Sequence, residues 1–187
     1  MHALRLADAR SGQAVRLAAI IIVLLATATH AQAPARATTP ARKVDANLLQ
    51  LMRGIIYPSS NVVFAAQGDL TKFPPAQDPA TSPNLLTSSY GGWQAVENAG
   101  LALAESANLL LLPGRVCANG KPVPVRRADW VKYVDGLRQA GMAAYKAAQS
   151  KNQDAMLDAS GTVTDACSAC HEVYREKKGG LKDRCLP

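Results

Sequence analysis

The chain is predicted to be all-α, folded as an antiparallel up-down-up-down four-helix bundle. Three observations predict this. Apolar residues recur at helical spacing in four separate stretches, no stretch alternates with the period of two that marks a strand, and the connections are rich in proline and glycine. With 187 residues, 48% of them hydrophobic and 19% charged, the composition suits one globular domain with a short appendage and argues against disorder or a polytopic membrane protein.

The first helix is expected from about Val44, where Leu48, Leu49, Met52, Ile55 and Ile56 form an apolar stripe. Pro58 should kink or end it, although Val62, Val63 and Phe64 carry the pattern towards Gly68. Residues 68–88 hold Pro74, Pro75, Pro79 and Pro83 and form a loop. The second helix is expected from Tyr90 to Leu112, with Trp93, Val96, Gly100, Leu103, Ala107 and Leu110 on its apolar face and Pro113-Gly114 as its stop. After a loop containing Cys117, the third runs from Ala128 to Ser150 along Trp130, Val134, Leu137, Gly141, Tyr145 and Ala148. Gly161 should break the chain. The fourth helix then runs from Thr162 to Lys178 and ends at Gly179-Gly180.

The start of the chain has a different character. Arg5, Arg10 and Arg16 precede the apolar run Leu17 to Ala26, followed by small-x-small patterns at Thr29-His-Ala31 and Ala31-Gln-Ala33. Residues 1–31 therefore resemble a signal peptide cleaved after Ala31, the apolar run falling short of the ~20 residues of a bilayer span. An uncleaved anchor is the alternative. Residues 32–43 read as an Ala/Pro/Thr-rich tether and 44–187 as the domain. Cleavage takes away three Arg and one Asp and lowers the formal charge from +7 to +5. It also leaves one histidine, His171, and three methionines, Met52, Met142 and Met156.

Cys167-Ser-Ala-Cys170-His171 is the C-x-x-C-H attachment sequence for c-type haem. On a helix the two thiols and the imidazole fall on one face at i, i+3 and i+4. Cys167 and Cys170 would each form a thioether to one covalently attached haem c, and His171 would be an axial ligand of the iron. Export supplies the compartment in which such haem is attached, and makes the expected location periplasmic. Two other readings remain. A redox thiol pair would sit beside a βαβ pattern, which is missing, and a structural zinc site would need every remaining Cys and His of the mature chain.

The motif lies near the C-terminus, on the last helix, and continues as Cys170-His-Glu-Val-Tyr-Arg175. In this it resembles the class II cytochromes c, cytochrome c′ and its low-spin relatives, over about residues 44–178. The resemblance implies a sixth iron position faced by the first helix, where low-spin members supply a methionine. Leu51-Met52-Arg53-Gly54-Ile55 resembles that first-helix pattern and puts Met52 at the ligand position, while the basic residue often found four positions earlier is Leu48 here. Arg175, Arg53, Trp93 and Tyr174 become candidates for propionate or pocket contacts, with core packing the plainer role of both Trp93 and Trp130.

Register supports the same pair. Met52 lies about eight residues inside the start of the first helix and His171 about seven inside the end of the last, so at about 1.5 Å per residue they share a height. Met142 lies deeper along the third helix and Met156 precedes the fourth. Core packing is the plainer role for Met52. Cys117 and Cys185 fall at one end of the bundle, where a disulfide suits an oxidising compartment; free buried thiols are the alternative.

No catalytic acid, base or nucleophile constellation is visible, so the resemblance implies a monohaem electron carrier and not an enzyme. A high-spin, CO- or NO-binding protein and a haem subunit of a larger oxidoreductase are the competing expectations. Arg175, Lys177, Lys178, Lys182 and Arg184 suit a helix C-terminus and a docking patch for an acidic redox partner. Export disfavours nucleic acid as a partner. A cleaved signal would leave no membrane span, and the resemblance admits a homodimer.

Overall fold

Pro58 decides how the first helix is built. It has no N–H to donate, and in a regular helix its ring would crowd the Gly54 carbonyl. The computed structural model, which describes residues 43–187, accommodates this with a wider turn. Asn47 starts the helix: its side chain accepts from Gln50 N–H, and the Gln50 side chain accepts from Asn47 N–H, both at 2.9 Å. Segment α1 (Leu48–Leu51) then passes through a π-helical turn (Met52–Ile56) into α2 (Tyr57–Ala65) without leaving helical dihedrals at either junction. Tyr57 N–H reaches five residues back to the Met52 carbonyl. Just beyond the proline, the hydroxyls of Ser59 and Ser60 donate to the Ile55 and Tyr57 carbonyls at 2.8 and 2.9 Å. The helix therefore neither ends nor stops short at Pro58. The expected signal peptide and all of the tether except Lys43 lie outside the described residues.

Three longer helices follow: α3 (Gly92–Leu110), α4 (Ala128–Ser150) and α5 (Gln153–Tyr174). Together with the first helix they form an all-helical bundle. Among the described residues there is no strand, only an isolated bridge between Val116 and Pro122, and no helix is long and apolar enough to cross a membrane. The most extensive contact is between α3 and α4. Two glycines permit it: a Cβ on Gly100 would lie 2.6 Å from the Tyr145 backbone nitrogen, and one on Gly141 would lie 2.7 Å from that of Ala104. At the other end of this pair Trp130 is fully buried and its indole N–H donates to the Leu110 carbonyl at 3.1 Å. Burying its ring and the neighbouring Leu103, Val134 and Leu137 contributes about 1.5–3 kcal/mol per large side chain.

The last helix differs from expectation at both ends. It begins at Gln153, not Thr162, and passes straight through Gly161, which is exposed. Its start signal is Asn152, whose side chain accepts from Ala155 N–H at 2.9 Å directly after Lys151 ends α4 in the left-handed conformation. Met156 thus belongs to α5 and is wholly buried in a stripe with Ala159, Ser160 and Val163. The helix ends at Tyr174, before Lys178, because Arg175 and Glu176 N–H both turn back to the His171 carbonyl, and Cys185 N–H takes that of Tyr174. Gln153 donates to the Ala66 carbonyl at 2.9 Å and Ser160 to that of Val63 at 3.2 Å, fastening α5 to α2.

A buried arginine holds the entry to the bundle. Arg115 is 5% exposed, and its guanidinium donates to the carbonyls of Ala46 and Leu109. Leu48 N–H donates to the Val116 carbonyl at 2.8 Å. Arg115→Met keeps the apolar stem and strands both carbonyls, so a loss of about 1–3 kcal/mol is expected in urea unfolding; an unchanged midpoint would remove Arg115 from the clamp.

Candidate functional site

The final turns of α5 present Cys167, Cys170, His171 and Tyr174 at i, i+3, i+4 and i+7, and all four line one cavity of 710 Å³. That volume is within the ~300–1,000 Å³ of small-molecule and cofactor sites. Across the cavity stand Met52, Arg53 and Ile56 of the π turn and Leu48 and Leu49 of α1. Ser60 and Phe64 of α2 and Trp130 of α4 also line it. A small void of 40 Å³ continues inward, lined again by Met52, Ile56, Trp130, Cys167, Cys170 and His171. The wall is mainly apolar, with a few convergent polar groups.

Met52 is half-buried on the π turn and shares both spaces with His171. Irregular turns of this kind recur where a helix must present side chains to a functional site. The other two methionines line neither space: Met142 is half-buried on α4, and Met156 is packed at the opposite end of α5.

Cys167 and Cys170 are free and half-buried. Burial raises both thiols above the ordinary range, Cys170 to about 12 with Cys167 and Asp129 adding to the rise, while Arg175 partly offsets the rise at Cys167. They are neutral thiols, unlike the low-pKa thiolate of a redox C-x-x-C pair. Burial and then Arg175 lower His171, against a weaker opposing pull from Glu176, which favours the neutral imidazole with a lone pair for a metal. Among the described residues no group of three or more His, Cys, Asp or Glu could hold a metal ion, short of the four protein ligands of structural zinc.

Tyr174 is 4% exposed and is packed edge-on against Trp130 at 5.0 Å and Tyr133 at 6.3 Å. Its hydroxyl accepts from Arg127, which also binds Asp129; that pairing brings the Asp129 carboxyl down to about 2. Arg53 and Arg175 are exposed at the cavity edge, Arg175 paired with Glu176. Trp93 lies half-buried in the first turn of α3, packed against the core, and lines neither space; Trp130, one helix on, supplies the indole there.

Cys117 and Cys185 form a disulfide with Cα atoms 6.5 Å apart, and both line the cavity. The bridge draws the chain after α5 back over the end of that helix and brings Arg184 into the wall. Arg184 counts in the sequence as one of a run of surface cations. Its place next to a paired cysteine is the signal that sets it apart.

Comparison with known protein families, curated proteins and solved structures gives no match.

Proposed function

We propose that this chain is a periplasmic c-type monohaem cytochrome of the class II kind, a one-electron carrier in which His171 and Met52 would ligate the haem iron. The observation that carries the proposal is the meeting of Cys167, Cys170, His171 and Met52 around one cofactor-sized, mostly apolar cavity. The donor set fits the group. A porphyrin brings four of the iron's ligands with it, so one neutral imidazole and one thioether complete the shell where a bare ion would find too few groups. Two neutral thiols three residues apart are the form that adds across two vinyl groups.

Bound haem would supply an Fe(III)/Fe(II) couple. The chain's own residues do the rest. Burial favours the neutral His171 imidazole, whose lone pair would bind the iron, and the Met52 thioether would favour the reduced form and raise the potential. Trp130, Tyr174, Ile56 and Phe64 exclude water, which limits the reorganisation that accompanies a change of charge. Inter-helix contacts support an antiparallel, up-down-up-down order: Leu110 meets Trp130 while Gly100 meets Tyr145, and Ala66 meets Gln153 while Met52 shares a cavity with His171. Exposed Lys178 and Lys182, beside half-buried Lys177, suit an acidic redox partner.

The test is covalent attachment. The full chain, exported from a host that matures c-type haem, is expected to keep its haem through denaturation and acid extraction. The double variant Cys167→Ser, Cys170→Ser should lose all of it. A wild-type chain without haem, or a variant that keeps the bond, would overturn the proposal.

A further inference from the structure

Arg184 lines the cavity, and its Nε is buried without a hydrogen-bond partner among the described residues. A guanidinium N–H in that position is costly unless something accepts from it. Among the described residues nothing does. The nearby Glu176 carboxylate is taken by Arg175, and the first helix offers the cavity the apolar Leu48 and Leu49.

The position of Arg184 is built, in contrast to the free lysines around it. Its neighbour Cys185 is tied to Cys117 across 68 residues of sequence and donates its N–H to the Tyr174 carbonyl at 2.9 Å. The Asn119 side-chain amide reaches the carbonyls of Leu181, Lys182 and Arg184 at 3.0, 3.1 and 3.0 Å. Cys185 itself sits at φ 66°, a conformation that non-glycine residues rarely adopt and that turns the tail back over the helix. Two independent fastenings thus converge on one residue that lines the cavity and carries an unpaired buried donor.

We propose that Arg184 binds a carboxylate of the group held in this cavity, and that the Cys117–Cys185 bridge and Asn119 are positioning elements for it. This rests on the haem reading above, under which the carboxylate is a propionate. Arginine suits the task because its planar fork pairs with both oxygens of a carboxylate.

The experiment uses the purified, haem-loaded full chain and reads the midpoint potential beside the absorption spectrum. Removing a fixed positive charge from the wall of the cavity would favour the ferric form. Arg184→Gln is therefore expected to lower the potential by more than the surface control Lys178→Gln, with the axial-ligand spectrum unchanged. Arg184→Lys, which keeps the charge, should recover part of the shift. Cys117→Ser with Cys185→Ser should reproduce it, and adding Arg184→Gln to that pair should shift it little further, because both changes remove the same contact. A haem-loaded Arg184→Gln protein with the potential of wild type would overturn the assignment and leave the haem reading standing. A wild-type chain that carries no haem would overturn both.

Discussion

Met52→Ala is expected to turn the ferric iron from low-spin to high-spin, lower the potential and open the ferrous iron to carbon monoxide. Among the described residues no other methionine or histidine lines the cavity that holds His171, so no equivalent ligand can take its place. Packing and ligation make different predictions for Met52→Leu. Leucine conserves volume, and a residue that only packs should tolerate it at a cost below about 1.5 kcal/mol with no change of spectrum. A ligand cannot be replaced in that way, so the leucine variant is expected to be as high-spin as the alanine one. An unchanged ferric spectrum in either variant would return Met52 to the core.

Gly141→Ala is expected to destabilise the bundle, and Gly100→Ala likewise. A methyl at Gly141 would lie 2.7 Å from the Ala104 nitrogen and 2.8 Å from the Gly100 oxygen; at Gly100 it would lie 2.6 Å from the Tyr145 nitrogen. The obstacle is backbone in each case, so α3 and α4 must separate. Two effects oppose. Alanine gains about 0.8–1.0 kcal/mol over glycine in helix propensity, and overpacking a filled interface costs about 1–3 kcal/mol. The second is larger. Gly136 and Gly161 isolate the first effect, since both are helical and a methyl there meets nothing within 4 Å. Alanine at those sites should raise the unfolding midpoint. A Gly141→Ala protein as stable as Gly136→Ala would contradict the close approach.

Much of this bundle can be read from the order of its residues. The third expected helix coincides with α4, and the second differs from α3 by two residues at each end, because both have strong apolar faces and clear stops. The start of α5 is misread because Gly161 outweighs a better signal. The stripe Met156, Ala159, Ser160, Val163 and the cap at Asn152 are both written in the sequence, and one exposed glycine costs too little to break a helix with that much buried surface. The π turn has no such signature. Pro58 announces a conflict, but whether a helix kinks, ends or widens depends on what its neighbours require, and here a continuous first helix puts Met52 on the wall of the cavity that His171 also lines. For the site, the C-x-x-C-H spacing selects the face of α5 and cysteine arithmetic selects the disulfide. Which of Trp93 and Trp130 lines the cavity, and the place of Arg184 in its wall, depend on packing between distant elements, which local spacing does not encode.

The central claim is that Cys167, Cys170, His171 and Met52 hold one haem. Visible and electron paramagnetic resonance spectra of the purified, exported protein in both oxidation states test it most directly. The account predicts covalently bound haem, low-spin in the ferric state, with a methionine-to-iron charge-transfer band; a chain without bound haem, or a high-spin ferric spectrum, would contradict it.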